Sequence, residues 1–304
     1  MSGMVLTDVE NARQPSAIAG SADFQQVFER IDELPAMPVI AQKMLALPLN
    51  TDKGEAQLLK LIAQDPQISA RVIGLSNASL FGAPGMITSI SDATMRLGLV
   101  QVKSIAIGMA TIAAFAKPPE GKFNSTDLWS HSIAIASVMR TIARHMPARN
   151  RPQEDRIFLA GLLHDIGYSV LNYLARDLSN MLYEKLNESK EASLLEVEQA
   201  LLGASHGEIG ARLAAHWGLP PEIIAVIRYH HQPDHPDAAI GQPLVRLINV
   251  AEKMLPDYAI SEHVIDGITE QEWLQLGIET AEIQCIAEEV AGIAEQVQQL
   301  ANAA

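Results

Sequence analysis

The sequence contains almost no cysteine and no apolar run long enough to cross a membrane. Cys285 is the only cysteine, so an internal disulfide is excluded and the composition is typical of a reducing compartment. The longest apolar run, residues 105–116, falls short of the ~20 residues that a bilayer span requires. The first residues also lack the basic start and apolar core of a signal peptide. We therefore expect a cytoplasmic protein that does not associate with a membrane.

Positive charge is scarce as well. Lysine and arginine total 22 against 36 aspartates and glutamates, which gives a formal net charge of −14. Such a chain repels the phosphate backbone of nucleic acids unless basic residues are concentrated in one patch. The densest basic stretch, residues 140–151, is short and is interpreted as a solvated helix end and loop. We expect no nucleic-acid partner.

Aromatic residues make up only 5% of the chain, and runs of alternating β-branched residues are hard to find. Alanine, leucine and isoleucine are abundant instead, within a hydrophobic fraction of 48%. This balance favours helices over strands. We therefore predict an all-α protein whose 304 residues form one large domain or two of ordinary size.

Apolar periodicity, capping residues and prolines divide the chain into a short tail and two helical parts. Residues 1–22 are small and polar and are predicted to form a loose tail. Residues 23–117 are predicted to form a bundle of short helices that ends in a linker at residues 117–121, and residues 122–304 form the second part. All nine histidines lie after residue 130, which indicates that the two parts differ in chemistry.

Fourteen helices are predicted, several of them with capping residues at their starts. The first begins at residue 23, the second covers 39–47, the third follows Thr51 or Asp52 and includes residues 58–62, and the fourth covers 67–78. The fifth is capped by Ser91 or Asp92 and ends near Gly98. The others cover 100–116, 125–145, 154–174 with a break near Gly167, 178–186, 193–202, 206–216, 222–230, 243–255 and 281–300. The closing helix is amphipathic. We expect it to pack on its own domain, with dimerisation as the alternative.

The most apolar of these helices carries two ionisable residues in its middle. Residues 158–175 read FLAGLLHDIGYSVLNYLA, with His164 beside Asp165. Burial of an imidazole next to a carboxylate is unfavourable unless each group has a partner. A metal ion, a mutual ion pair or a hydrogen-bond network could supply that partner, and these residues alone leave the three open.

Histidines on other predicted helices could join this pair. Adjacent helical residues point ~100° apart, so His164 and Asp165 reach one ion only if it lies at the rim of the helix. Imidazole and carboxylate together suit a divalent transition metal (iron, manganese, zinc or nickel) better than calcium. The candidate ligands are His131, His164, Asp165, His206, His230 and His231. The other histidines are interpreted as hydrogen-bonded core residues: His145, His216, His235 and His263.

Motifs in both parts resemble the HDOD domain, the HD-related output domain of bacterial signalling proteins within the HD superfamily. In the second part these motifs are WSHSIAIA, GLLHDIG, HGEIGARLAAHWGLP and YHHQP. In the first part they are LPAMPVIAQKMLAL, LLKLIAQDPQISARVIGLSNASLFG and ISDATMRLGLVQVKSIAIG. The resemblance covers about residues 24–255. It implies an N-terminal bundle of short helices packed on an HD-like helical domain.

The resemblance also implies roles for individual residues. Catalytic HD proteins bind metal through a first histidine, the HD pair and a late aspartate, and the HD-GYP phosphodiesterases add further histidines. Carried over in that order, the matching residues are His131, His164 and Asp165, then Asn249 at the position of the late aspartate, and His206, His230 and His231 as the added ones. Asn249 brings no charge, and Tyr168 stands where the phosphodiesterases carry a lysine. The GYP signature itself is absent.

These departures favour a signalling module over an enzyme. The first hypothesis is a non-catalytic HDOD module that acts through protein–protein interaction with signalling proteins and that binds a metal or a nucleotide without turning it over. The alternative is a metal-dependent phosphohydrolase or phosphodiesterase that acts on a nucleotide or cyclic dinucleotide. In the alternative, Asp165 is the candidate catalytic residue, and a water held between metal ions attacks phosphorus.

Overall fold

The computed structural model describes residues 30, 34–82, 85–115, 121–188, 192–255, 260 and 267–303. All regular structure in these ranges is helical, which confirms the predicted all-α class. The first part contains α1 Val39–Leu45, α2 Asp52–Ala63, α3 Pro66–Ser76, α4 Ile90–Leu97 and α5 Leu99–Ala113. The second part contains α6 Ser125–His145, α7 Glu154–Leu163, α8 Ile166–Leu174, α9 Arg176–Glu188, α10 Leu194–Leu202, α11 His206–His216, α12 Pro221–Tyr229, α13 Leu244–Met254, α14 Glu270–Leu276 and α15 Thr280–Ala303.

Capping side chains explain several of the helix starts. Thr51 caps α2 and Asp65 caps α3, each accepting a hydrogen bond from a backbone N–H in the first turn. The helix α4 begins earlier than predicted, because Ser89 caps it instead of Ser91 or Asp92. The helix α14 was not predicted at all, although it starts with a complete capping box.

Some expectations fall on residues outside the described ranges. These are the tail at residues 1–22, the helix from residue 23 and most of the linker at residues 117–121. The division of the chain at these points stays a prediction. In the described ranges, buried apolar side chains from both parts form one continuous cluster.

The helix α5 connects the two parts. Most of its residues are buried, and it packs against α1 on one side and α7 on the other. Gly108 permits the close approach of α7, because a Cβ at this position would lie 3.1 Å from Cδ1 of Leu162. The first part thereby supports the helix that leads into His164 and Asp165.

A buried lysine holds the end of α1 against α5. Nζ of Lys103 donates hydrogen bonds to the carbonyl oxygens of Leu45 at 3.2 Å and Leu47 at 3.0 Å. Burial lowers the pKa of this lysine, while the carboxylate of Asp155 acts in the opposite direction. Lys103 therefore supplies donors to two carbonyls that the end of a helix leaves without backbone partners.

Replacing Lys103 with methionine is expected to lower the free energy of unfolding by ~1–3 kcal/mol, because two carbonyl oxygens lose their donor. Urea unfolding followed by circular dichroism measures the change. Lys60→Met, at an exposed position of α2, is the control and should leave stability nearly unchanged. Equal stabilities of the two variants would show that the lysine contacts contribute little.

The helix predicted at residues 154–174 is broken as expected, at His164 and Asp165, just before the predicted position near Gly167. The backbone of Asp165 leaves helical geometry, with φ −95° and ψ 16°. Its carbonyl oxygen accepts a hydrogen bond from the N–H of Tyr168, a tighter turn than the α-helical one. The break changes the direction of the two side chains, so that both can face the same point.

Two glycines near this break allow very close helix packing. A Cβ on Gly161 would lie 2.5 Å from Cα of Ala136 in α6. A Cβ on Gly167 would lie 2.0 Å from the carbonyl oxygen of His206 in α11. The glycines therefore set the distances between α7 and α6 and between α8 and α11.

One stretch of the described residues, Glu154–Leu174, has the length and apolarity of a membrane span. Of its most apolar window, 78% is buried inside the fold. The pair α4–α5 passes the same criterion only when counted as one span, although it is bent by 115°. Both stretches belong to the core described above.

The closing helix α15 packs along α6. Its buried side chains recur at helical spacing: Ile286, Val290, Ile293 and Val297. The expected packing on its own domain is confirmed in these contacts. Dimerisation through this helix stays a prediction.

Candidate metal centre

Five regions of the second part bring ionisable side chains to one point. This set, here named the central cluster, consists of His131 in α6, His164 and Asp165 at the break, His206 at the start of α11, His230 and His231 after α12, and Glu252 in α13. The exposed fraction of these side chains is at most 2%, except for His231 at 15%. All six histidine and aspartate candidates of the sequence therefore meet in the fold.

Asp165 lies in the middle of the cluster and faces imidazoles on both sides. Its Oδ2 lies 3.3 Å from Nε2 of His164 and 3.5 Å from Nε2 of His131. Its Oδ1 lies 3.2 Å from Nε2 of His206 and 3.7 Å from Nε2 of His230. These distances exceed the ~2.7–2.9 Å of a charged hydrogen bond. One carboxylate is thus shared between two groups of potential metal ligands, each with ligand atoms within 4.8 Å of one another.

A second carboxylate, Glu252, was missed by the sequence reasoning. Its Oε1 lies 3.4 Å from Nε2 of His164, and its Oε2 lies 3.5 Å from Nδ1 of His231. Asn249, predicted at the late ligand position, instead donates a hydrogen bond from Nδ2 to the carbonyl oxygen of His230 at 2.7 Å. Asn249 and Glu252 are three residues apart and share one helix face. The charge that Asn249 lacks is therefore present one turn later.

The Nδ1 atoms of three imidazoles are bound outside the cluster, which fixes the role of the other nitrogen. Nδ1 of His164 lies 2.8 Å from the carbonyl oxygen of Gly161, and Nδ1 of His230 lies 2.9 Å from that of Ile227. Because a carbonyl oxygen only accepts, Nδ1 carries the proton in both rings. Nδ1 of His206 lies 2.7 Å from Oε1 of Glu198 and donates to this carboxylate. In all three residues Nε2 faces the interior, as in metal-binding histidines.

The distances inside the cluster fit a metal ion. Among the described residues, Nε2 of His164 and both carboxylate oxygens of Asp165 have no hydrogen-bond partner. The Nε2 atoms of His206 and His230 lie only 2.9 Å apart. Two nitrogens at ~2.1 Å from one ion and at right angles would lie ~3.0 Å apart. Without an ion, one of the two nitrogens must carry a proton and donate to the other.

The pKa values of the ionisable groups in the cluster are shifted in different ways. Burial raises the pKa of Asp165, but the imidazoles of His164 and His206 lower it more, so that its pKa is well below the ordinary value. Burial and the neighbouring imidazoles lower the pKa of His230 and His231 well below the ordinary value. These two rings are therefore neutral at pH 7, the form that binds metals.

The pKa of His206 is shifted in the opposite direction to those of His230 and His231. Burial lowers its pKa, but the carboxylates of Glu198 and Asp165 raise it further, so that the net pKa is well above the ordinary value. Glu198 is itself fully buried on α10 and also accepts a hydrogen bond from the backbone N–H of His206 at 3.1 Å. Glu198 thus holds His206 through two hydrogen bonds, one from the ring and one from the backbone.

Replacing Glu198 with glutamine is expected to weaken metal binding by ~10–100-fold, since partners that orient a ligating histidine have effects of this size. Isothermal titration calorimetry of metal-free protein with Zn²⁺ measures the change in affinity. Glu196→Gln changes an exposed carboxylate on the same helix, whose role is to cap α10. This control should keep the wild-type affinity. Wild-type affinity in the Glu198 variant would show that the ring is oriented by other contacts.

The remaining histidines were predicted as core residues, and this was wrong for His216 and His235. Both are exposed, and His235 stacks on the ring of Tyr229. His145 is half-buried and faces Glu289 at the other end of α6. His263 lies outside the described residues.

Tyr168, at the position of the phosphodiesterase lysine, is a core residue next to the cluster. Its ring is fully buried between two others, with centroids 4.5 Å from Phe123 and 4.3 Å from His206. It covers one face of the His206 ring and brings no positive charge. A phosphate group would find no cation at this position.

Comparison with models of known families identifies the family of this chain. The family model of the HDOD domain matches residues 34–233. The chain belongs to the HDOD domain family. The match includes α1 to α12 and thereby every member of the central cluster except Glu252.

Relatives of this HDOD protein share its fold over most of the chain. The crystal structure of a protein assigned to signal transduction in Marinobacter aquaeolei is 25% identical with a TM-score of 0.76, covering 92% of this chain and 65% of that one. An HDOD domain protein of unknown function from Geobacter sulfurreducens is 25% identical with a TM-score of 0.74, covering 91% and 96%. An uncharacterized protein of Treponema pallidum is 23% identical over 232 residues, which are 76% of this chain and 43% of that protein. The chain thus spans less than half of this last relative and less than two thirds of the first.

Proposed function

We propose that this HDOD protein is a cytoplasmic signal-transduction module that binds one or two divalent transition-metal ions in the central cluster. In this proposal it acts by binding partner signalling proteins and does not hydrolyse a substrate. The family and the relative from Marinobacter aquaeolei assigned to signal transduction support the signalling role. The observation that carries the proposal is a cluster with many metal ligands and almost no exposure.

The donor set supports metal binding. Five imidazoles and two carboxylates converge, and the shared carboxylate of Asp165 separates His131 and His164 from His206 and His230. Iron, manganese, zinc or nickel would each suit these nitrogen and oxygen donors. Asp165 and Glu252 would offset part of the positive charge that such ions bring into the core. Burial of the same carboxylates without cations would be unfavourable.

The burial of the cluster argues against turnover. Six of its seven side chains have an exposed fraction of at most 2%, and His231, at 15%, is the member that a substrate would meet first. Tyr168 occupies the adjacent space with a stacked ring and offers no charge to a phosphate. A bound ion would supply Lewis acidity and would lower the pKa of a coordinated water. Because most of the cluster is buried, the main effect of the ion in this proposal is to hold α6, α8, α11 and α13 together.

The helix α11 provides a route from the cluster to the first part of the chain. It begins with His206 and is followed directly by Trp217, whose indole N–H donates to the carbonyl oxygen of Pro35 at 3.0 Å. The ring of Trp217 also stacks on Phe115, with centroids 5.6 Å apart. In this proposal, a change in the position of His206 would alter the contact between the two parts, and a partner protein would detect that change.

The second candidate function is a metal-dependent phosphohydrolase. The shared carboxylate of Asp165 favours it, since two neighbouring ions can clamp the attacking and leaving oxygens of a phosphoryl group. In that case Asp165 and Glu252 would hold the ions, and the substrate would enter past His231. A nucleotide or cyclic dinucleotide is the substrate class that this reading predicts.

An activity panel separates the two candidates. Metal-loaded protein is incubated with nucleotides, cyclic dinucleotides and simple phosphoesters, and the release of product is measured next to an Asp165→Ala variant. We expect no turnover above the background of the variant. Hydrolysis by the wild-type protein that disappears in Asp165→Ala would contradict the signalling proposal and support the enzyme.

A further inference from the structure

A second group of metal-binding side chains lies at the opposite end of α6. This set, here named the outer cluster, consists of His145, Cys285 and Glu289, with one ligand atom of each within 4.8 Å of the others. Oε1 of Glu289 lies 3.2 Å from Nε2 of His145 and 3.8 Å from Sγ of Cys285. Cys285 is exposed and forms no disulfide. The outer cluster shares no residue with the central cluster.

We infer that the outer cluster is a binding site for a divalent cation that accepts thiolate ligands, such as Zn²⁺. Cys285 and Glu289 are four residues apart on α15, so their side chains lie on the same face of the helix. His145 is the last residue of α6 and faces them across the helix pair. One thiolate, one imidazole and one carboxylate are the ligand types of Zn²⁺, with a fourth position left to water.

A second carboxylate supports the orientation of the histidine. Oε1 of Glu282 lies 3.9 Å from Nδ1 of His145, on the side of the ring away from Glu289. This distance is too long for a hydrogen bond. The negative charge of the carboxylate nevertheless favours a proton on Nδ1, which leaves Nε2 to bind the cation. Glu282, Cys285 and Glu289 follow one another at helical spacing of three and four residues, so one face of α15 carries all three.

Arg144 limits the strength of the site. Its Nη2 donates to Oε2 of Glu289 at 2.8 Å, which leaves Oε1 facing His145 and Cys285. The guanidinium adds positive charge next to the cation and competes for the carboxylate. Removal of this charge should therefore strengthen cation binding.

A cation bound in the outer cluster would crosslink α6 and α15. On its inner face α15 carries the buried apolar side chains of Ile286 and Val290. A bound cation would be coordinated by His145 on one helix and by Cys285 and Glu289 on the other. This coordination would link the two helices beside their apolar contact. The closing helix would then be more firmly attached when the cation is bound.

Cobalt(II) titration of the whole tag-free chain, with a phosphine reductant, tests the site. Cys285 is the only cysteine, so a near-ultraviolet thiolate-to-cobalt charge-transfer band reports this site alone. We expect a band that zinc displaces, that Cys285→Ser abolishes, and that His145→Ala and Glu289→Gln weaken by ~10-fold or more in affinity. His164→Ala should keep the band, since the central cluster contains no cysteine.

Two results would overturn the inference. The first is no charge-transfer band at saturating cobalt. The second is a band that depends on Cys285 but keeps its affinity in both His145→Ala and Glu289→Gln, because the thiol would then bind cobalt alone. Arg144→Gln provides a further check, with an expected gain in affinity of ~2–5-fold for the loss of one exposed ion pair. Weaker binding in this variant would contradict the role given to Glu289.

Discussion

Replacing Asp165 with asparagine is expected to weaken metal binding at both sides of the central cluster by more than ~100-fold. The reason is that one carboxylate serves both groups: Oδ2 faces His131 and His164, and Oδ1 faces His206 and His230. Even residues that only orient a ligand change affinity by ~10–100-fold, so loss of a shared charged ligand should exceed this range. Titration of metal-free protein in a Cys285→Ser background with Zn²⁺ and with Mn²⁺ measures the affinity for each ion without a contribution from the outer cluster.

Glu188→Gln is the matched control, because it removes an exposed carboxylate at the end of α9. It should bind metal as the wild-type protein does. If Asp165→Asn lost only one of two bound ions, the carboxylate would belong to one group and not to both. Wild-type affinity in Asp165→Asn would contradict its place as a ligand altogether.

Replacing Gly167 with alanine is expected to lower the free energy of unfolding by ~3 kcal/mol, the upper part of the usual range for overpacking. The added Cβ would lie 2.0 Å from the carbonyl oxygen of His206 and 2.7 Å from its carbonyl carbon. These are backbone atoms, so no side-chain rotation can relieve the clash. The helices α8 and α11 must move apart, and His206 should leave its position against Asp165. Urea unfolding and zinc titration should therefore both show a loss.

Gly74→Ala is the control for this glycine. Gly74 lies inside α3, and a Cβ there would meet nothing within 4 Å. Because alanine is the better helix former, this variant should gain ~0.5–1 kcal/mol. A Gly167→Ala protein as stable as the wild type, with unchanged zinc affinity, would show that the α8–α11 contact can relax freely.

The fold class and most helices could be predicted from the sequence, because apolar periodicity and capping residues are local signals. Asp65 before Pro66 and Ser193 before Glu196 mark helix starts that the structure confirms. The histidine candidates could be found as well, since they stand on apolar helices where a polar residue needs a partner.

A break near Gly167 was predicted from the sequence, but its position at His164 and Asp165 could not be predicted in the same way. Residues 157–174 are mostly apolar on both sides of His164 and Asp165, and no proline marks an end within them. Just after the break, α8 packs against α11 at Gly167, which is a contact between distant segments. Periodicity contains no information on such contacts.

The two buried glutamates were missed for a related reason. The family resemblance places the late metal ligand at Asn249. The side chain that faces His164 and His231 instead belongs to Glu252, one turn later. Glu198 did carry a signal, because it stands four residues before Leu202 and four after Leu194 on the buried face of α10. A charged residue on such a face requires a partner, and this partner is His206.

The most direct test of the account is the metal content of tag-free protein after exhaustive dialysis. Elemental analysis should be made in a Cys285→Ser background, so that the outer cluster does not contribute, with and without the added change His164→Ala. The account predicts at least one equivalent of iron, manganese, zinc or nickel per chain, and a marked loss on His164→Ala. Substoichiometric metal that His164→Ala leaves unchanged would contradict it.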